Sequence, residues 1–489
     1  MKSPEITLVG TVKQVSLASL VLACSVATHA EPDKTARYAL EPDSEIAAMA
    51  FARTLRSDHA YTLSELIDLA HTSSLLAGDA DLSTRQAALG MDAVRSTTLP
   101  HVAATLLGAR LQSQGETRAA GIGVDGNGSV SASVAALAVQ WLLFDFGQRD
   151  ANAEAAQHEA RAAQAAQSGT HQAIIESVCR TYYAWAAAQA RVDAAQRSLA
   201  NADLVQTAAQ ERLAQGIGTV LEVAQAQQAR AQARLAQVQA EGAAQDSYLA
   251  VLGAVGLSPL SQLQLAPLPK RLPPKDLHIL SEPLLQRAVA QRADVASARA
   301  MQRSAQARVR AAQAEFLPKV FLSATGNYNS QALSNVWVPP IGPQSPTFHV
   351  AGDHWGSTVM VGVTMPIFDA GLRATTLAQA RAASERSDAQ FEKVRNDAAR
   401  QILIARNALQ TSLASYEAAQ ALTQAATTGF DAALAAYHQG VGTLTDATLA
   451  ETQLLAARNA QSDAYSAALT AALTLVFANG ALDDTRAVP

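Results

Sequence analysis

Few residues in this chain are placed to do chemistry. Two carboxylates, Glu222 and Asp446, each stand just past a Gly-x-Gly-Thr segment, and they lie 224 residues apart. The plainest role for such acids is at a helix start, where the positive end of the helix dipole favours them by about 0.3–1 kcal/mol. The ten histidines are scattered, with no H-E-x-x-H or other ligand spacing. His349 and His354 share one segment and read as a solvated loop. Gly121, Gly123 and Gly126 fit G-x-G-x-x-G, but a dinucleotide fingerprint follows a strand and opens a helix. These glycines fall in an expected hairpin loop with a strand after it. There is no G-x-S-x-G and no defensible carboxylate pair. Two cysteines, Cys24 and Cys179, give neither a metal spacing nor a disulfide framework. Cys179, among Ile174, Ile175, Val178 and Tyr182, reads as a small buried apolar residue. The chain is therefore read as a non-enzyme without metal or cofactor.

What must position these residues is mostly helix. Only 16% of the 489 residues are charged and 5% are aromatic. Long tracts combine Ala with Gln, Arg and Leu, the strong helix formers. A net charge of −5 leaves no basic footprint for nucleic acid. Residues 1–30 read as a signal peptide, with a short apolar stretch from Val15 to Ala23. Thr28-His29-Ala30 suits ordinary cleavage, while Val21-Leu22-Ala23-Cys24 loosely matches a lipobox that would put a lipid on Cys24. No later stretch is long enough for a transmembrane helix. A membrane crossing must then be made by strands.

The chain also repeats itself. Phe144-Asp145-Phe146-Gly147-Gln148-Arg149 reappears 224 residues later as Phe368-Asp369-Ala370-Gly371-Leu372-Arg373. Gln215-Gly216-Ile217-Gly218-Thr219-Val220 reappears at the same offset as Gln439-Gly440-Val441-Gly442-Thr443-Leu444, and Leu99-Pro100 corresponds to Leu317-Pro318. This predicts two half-molecules, 31–257 and 284–489, joined by a proline-rich bridge at 258–283 that should be irregular. In each half a helix leads to Leu-Pro and a β-hairpin, at about 99–146 and 317–370. Long helices follow, at 147–257 and 371–480.

The strands show period two. Leu322, Ala324, Gly326 and Tyr328 alternate with Ser323, Thr325, Asn327 and Asn329. Val359, Val361, Val363 and Met365 alternate with Thr358, Gly362 and Thr364, with Met360 out of pattern. Val130, Ala132 and Val134 alternate with Ser131 and Ser133. Loops are expected at Gln112–Gly128 and Ser334–Asp353. From Gln148 to Arg212 there is no proline, so a helix about 100 Å long is expected. The return helix carries a heptad-like seam of Leu221, Ala224, Gln228, Ala231, Leu235, Val238, Gly242, Gln245, Leu249 and Leu252.

Four strands cannot close a membrane barrel, whose smallest forms have about eight. Open edges in lipid cost several kcal/mol per unsatisfied group, so several chains must pool strands. The Phe-Asp-x-Gly-x-Arg motifs, the Gly-x-Gly-Thr turns and Leu-Pro before each first strand resemble the TolC-like outer-membrane efflux proteins. The likeness covers nearly the whole chain. It implies a mixed α and β membrane protein: a homotrimer whose twelve-stranded β-barrel, four strands per chain, sits in outer-membrane lipid and continues into a long periplasmic α-helical barrel. It further implies a periplasmic adaptor protein and an inner-membrane pump of RND, MFS or ABC type as partners.

The same resemblance assigns roles to residues. Gly216, Ile217, Gly218, Thr219 and Val220, with Gly440, Val441, Gly442, Thr443 and Leu444, match the tips where the adaptor docks. Glu222 and Asp446 match acidic gate residues, and Tyr437 matches a tyrosine of the latch. Carboxylates about 6 Å apart in a ring would repel by about 3 kcal/mol per pair at an effective dielectric near 20. Such a ring would attract cations and favour widening. Leu449 and Gly442 stand where the family has a second acid and an arginine, which implies a simpler latch. Ala293 replaces the proline of the family's Arg-Pro-Asp. The expected function is a passive duct for small-molecule efflux of drugs or toxic organic compounds. The alternatives are type I protein or toxin secretion and, from another class, a coiled-coil scaffold without transport, which explains neither the strands nor the repeat.

Overall fold

The computed structural model describes residues 59–119, 122–268, 282–329 and 355–482, all within one compact unit, Ala52–Pro489. The expected signal segment with Cys24, the loop Ser334–Asp353 with His349 and His354, and Pro269, Pro273 and Pro274 of the bridge lie outside the described residues. In chain order the elements are β1 (Ala60–Tyr61), α1 (Leu63–Ser73), α2 (Leu75–Ser96), β2 (His101–Ala119), β3 (Ile122–Phe144), α3 (Gln148–Ala214) and α4 (Val220–Val255). There follow β4 (Gln264–Leu265), α5 (Glu282–Gln291), α6 (Ala293–Ala314), β5 (Lys319–Asn329), β6 (Trp355–Thr364), α7 (Leu372–His438) and α8 (Leu444–Ala478).

The Phe-Asp-x-Gly-x-Arg motif turns strand into helix in both places. Phe146 and Ala370 hold left-handed backbone, with φ of 54° and 53°, as do the glycines that follow them. Such backbone at a non-glycine costs about 1–3 kcal/mol, so neighbouring contacts must hold it. The aspartate supplies them. Asp145 accepts from the amides of Gly147 (3.3 Å) and Arg149 (3.0 Å) and from Arg149 Nε (2.9 Å). Asp369 does the same for Gly371 (3.2 Å), Arg373 N (3.1 Å) and Arg373 Nε (2.6 Å). Each carboxylate thus satisfies amides of a helix start that have no partner within the helix.

The strands form one antiparallel sheet in the order β2-β3-β5-β6. Register places Val102, Val139, Ala324 and Val359 in one row and Ala104, Leu137, Gly326 and Ser357 in the next. On this face Leu106, Leu137, Trp141, Tyr328, Val359, Val361 and Val363 are exposed. The opposite face mixes small and polar residues with Leu107 and Phe321, and on it Ala136, Ala138, Ser323, Thr325 and Asn327 are buried. Met360, out of the apolar pattern, lies on this second face, paired with Ser323. Within the expected loop Gln112–Gly128, residues 112–119 and 122–128 are instead strand, paired from Gln112↔Ser129 to Ala119↔Ile122. Glycines and polar residues weaken strand propensity there, but continued pairing with the partner strand outweighs it. Gly123 and Gly126 accordingly sit inside β3 and open no helix.

Helices α3 and α7 each run 67 residues, about 100 Å. Helix α4 packs back on α3 through Ala226, Ala233, Ala244, Val251 and Leu252. Of the expected heptad seam Leu252 is buried in this packing, whereas Leu221, Leu235, Val238 and Leu249 are exposed in the single chain. A three-four spacing defines a stripe but not the neighbour it meets, and the alanines beside it allow the closer approach within the chain. The main core gathers where α1, α3, α4 and α8 meet, around Leu66, Ile67, Val178, Tyr182, Tyr183, Leu252 and Leu473. Cys179 is fully buried there, and burial pushes its thiol up to about 12. The bridge is less irregular than expected, since β4 pairs parallel with β1 (Ala60↔Gln264, Tyr61↔Leu265). Arg292, the residue before α6, makes no side-chain cap bond to that helix. Its guanidinium reaches Asp294 (2.8 and 3.0 Å) and the carbonyl of Ala478 (2.9 Å), tying the start of α6 to the end of α8.

Candidate functional site

The α3–α4 and α7–α8 reversals share one geometry, built by two glycines with different duties. Gly216 (φ 74°) and Gly440 (φ 76°) take left-handed backbone, which closes the helix end. The amides of Ile217 and Gly218 then both donate to the Arg212 carbonyl, each at 3.0 Å; those of Val441 and Gly442 donate to Ala436, also at 3.0 Å. The second glycine is needed for space. A Cβ on Gly218 would stand 2.8 Å from the Leu213 nitrogen, and one on Gly442 2.9 Å from Ala436 Cβ.

The return helices start with capping boxes. Thr219 Oγ1 accepts from the Glu222 amide (3.2 Å), and Glu222 Oε2 accepts from the Thr219 amide (3.1 Å). Thr443 and Asp446 repeat the exchange at 3.2 Å each way. Both acids therefore do the ordinary work of a helix start. The Thr443 hydroxyl (2.7 Å) and then its amide hold the Asp446 carboxyl below the usual range.

The two tips differ in burial. Leu444 is 3% exposed, whereas Val220, its counterpart, is 73% exposed. Leu444 and Tyr437 join Val205, Ala208, Ala209, Ala226 and Phe430 in a cluster that fastens the second tip to the first. Ile217, Val220 and Val441 remain exposed. Leu444 thus contributes packing here, not free surface.

Arg212 links the tips, and no spacing in the sequence announced it. Its guanidinium carbon lies 5.0 Å from the centre of the Tyr437 ring, and Nη1 donates to the Tyr437 carbonyl at 3.1 Å. The repeat offered no signal, because its counterpart is Ala436. The available hint was a cation in the last turn of a helix, where the dipole favours it. Burial raises the Tyr437 phenol above its usual range; the Glu222 charge adds to this and Arg212 opposes it. The Tyr437 hydroxyl and Arg212 Nε are buried without hydrogen-bond partners. The fold thus brings Tyr437 and Arg212 together within the field of the Glu222 charge, while Glu222 and Asp446 are each engaged at their own caps.

Among the described residues no group of three or more His, Cys, Asp or Glu is arranged to hold a metal ion, and no helix is long and apolar enough to cross a membrane. A family model described as outer membrane efflux protein matches residues 67–257 and 284–481. The chain belongs to the outer membrane efflux protein family. This bears out the TolC-like resemblance of the Phe-Asp-x-Gly-x-Arg and Gly-x-Gly-Thr motifs. Protein CyaE of Bordetella pertussis is 31% identical over 426 residues, covering 86% of this chain and 84% of that protein. The CmeC outer membrane channel of Campylobacter jejuni shares the fold with a TM-score of 0.73 at 18% identity, over 92% of this chain and 94% of that one. VceC of Vibrio cholerae, an outer membrane protein, matches at 0.70 and 22%, over 86% and 96%. The break between the two matched segments of this efflux protein coincides with the bridge, and Arg212 and Tyr437 fall in different segments.

Proposed function

We propose that three copies of this chain form one outer-membrane export duct. Each copy contributes four strands to a twelve-stranded barrel, and the helices of its two duplicated halves continue that barrel as a periplasmic tunnel. The observation that carries this reading is the four-stranded sheet. Among the described residues the outer edges of β2 and β6 have no partner strand, while one face presents Leu106, Leu137, Val359 and Val361. In lipid such edges must be paired, and other copies of the same chain supply the pairing. The exposed stripe of α4 supports the same conclusion, since it offers Leu235 and Val238 to a neighbouring helix.

The duct is passive and its cargo consists of small molecules, drugs or toxic organic compounds. Energy comes from an inner-membrane pump reached through a periplasmic adaptor. Exposed Ile217, Val220 and Val441, on the glycine turns, offer that adaptor an apolar contact. Glu222 and Asp446 line the constriction and Tyr437 latches it.

Detergent-purified protein should have the mass of three chains and conduct ions across a planar bilayer. A monomeric mass with no conductance would end the proposal. Deleting the gene should sensitise cells to hydrophobic drugs. Unchanged susceptibility together with loss of a protein from the culture medium would reassign the duct to protein export.

A further inference from the structure

Helices α1 and α3 bring together two histidines that lie 100 residues apart in the chain. Nδ1 of His71 and Nδ1 of His171 stand 3.3 Å from each other, with ring centroids 5.3 Å apart. Ring nitrogens facing each other in this way share either a proton or a cation. Two nitrogens bound at roughly 2.0–2.1 Å to one tetrahedral ion lie about 3.3–3.4 Å apart, so the observed spacing is already that of a ligand pair.

The surroundings favour the ligand state. Nε2 of His171 faces Asp81 Oδ1 at 3.7 Å, and Gln167 Nε2 steadies that carboxylate at 2.5 Å. A carboxylate near the far ring nitrogen is the arrangement found around metal-bound imidazoles. The pair borders a cavity of about 390 Å³ whose wall includes Gln164, Gln167 and Ser168. Their oxygens and water can complete a coordination shell. His171 keeps 32% of its side chain exposed, so a cation has a way in.

We propose that His71 and His171 form a two-imidazole site for a divalent transition cation of the Cu²⁺, Ni²⁺ or Zn²⁺ class, which clips α1 onto α3. Imidazole selects these ions over Mg²⁺ and Ca²⁺, with Cu²⁺ the tightest. The site is remote from the hairpin tips in the sequence and does not depend on the duct reading.

The test uses full-length protein in detergent, stripped of metal and titrated with Cu²⁺, Zn²⁺ or Mg²⁺ alone. Wild type should bind one Cu²⁺ per chain, with nitrogen hyperfine structure from two imidazoles in its electron paramagnetic resonance spectrum, and Mg²⁺ should not bind. His71→Asn and His171→Asn should each lose that equivalent while keeping the metal-free melting temperature. Asp81→Asn should weaken binding about tenfold without abolishing it. Wild-type stoichiometry in both histidine variants would overturn the proposal, because the ion would then sit elsewhere. So would a one-equivalent Cu²⁺ spectrum of wild type without two nitrogens, a readout that needs no variant to fold.

Discussion

The Arg212 guanidinium lies over the Tyr437 ring at 5.0 Å and donates to the Tyr437 carbonyl at 3.1 Å. One side chain thus joins the C-terminal ends of the two 67-residue helices, α3 and α7. A cation over an aromatic ring contributes about 0.5–2 kcal/mol, and a charged hydrogen bond about 1.5–3 kcal/mol. Arg212→Ala should therefore loosen the second tip from the first by about 2 kcal/mol and raise single-channel conductance. Arg212→Lys should recover little, because an ammonium cannot stack as a plane and donate sideways at once. Wild-type conductance in both variants would remove Arg212 from the gate.

The two glycines of each turn should respond differently to the same substitution. Asparagine tolerates left-handed backbone, so Gly216→Asn should cost at most about 1 kcal/mol. Gly218→Asn places a Cβ 2.8 Å from a backbone nitrogen and should cost about 1–3 kcal/mol, as overpacking does. Thermal unfolding of the two variants decides this. Equal losses would mean that the turn shifts freely.

Glu222 and Asp446 can be stripped of charge without stripping the cap. Glutamine also serves at the third helical position of a capping box. Glu222→Gln should therefore leave stability within about 0.5 kcal/mol of wild type while lowering cation selectivity and divalent block. Asp446→Asn should act in the same direction. If selectivity and block both stay at wild-type levels, these acids are caps and nothing more.

Glu451 carries a pH dependence. It accepts from the Ser198 hydroxyl between α8 and α3, and burial raises its carboxyl above 4.5, against that bond and the nearby Arg458. An acid raised in the folded state favours folding most when protonated. Its contribution is fully present below the unfolded value near 4.5 and is lost as pH rises through the higher folded value. Wild type should therefore gain stability relative to Glu451→Gln as pH falls from 7.5 to 4.5. A constant difference in unfolding free energy across that range would contradict the assignment.

Much of the scaffold is legible in the sequence. Leu-Pro stands just ahead of β2 and β5, the Phe-Asp-x-Gly-x-Arg motifs fall on the two strand-to-helix junctions, and Gly-x-Gly-Thr marks both reversals. The expected helix from Gln148 to Arg212 ends within two residues of the observed end at Ala214. Where the reading fell short, a partner distant in sequence made the difference. Residues 112–119 and 122–128 are strand because each half of the hairpin pairs with the other. Most of the α4 stripe, from Leu221 to Leu249, faces away from α3 because alanines beside it pack closer. Ala60 and Tyr61 became strand only by meeting Gln264 and Leu265.

The sequence by itself determined the local events: where helices start and stop, which residues can take left-handed backbone, which strand face is apolar, and that four strands are too few to close. These depend on caps, steric limits and alternation within a few residues of one another. Only the tertiary structure decided that Tyr437 meets Arg212, that Leu444 is buried while Val220 is not, and that His71 faces His171. Such contacts form when helices far apart in sequence bury surface together, and their free energy depends on packing partners that no local spacing specifies.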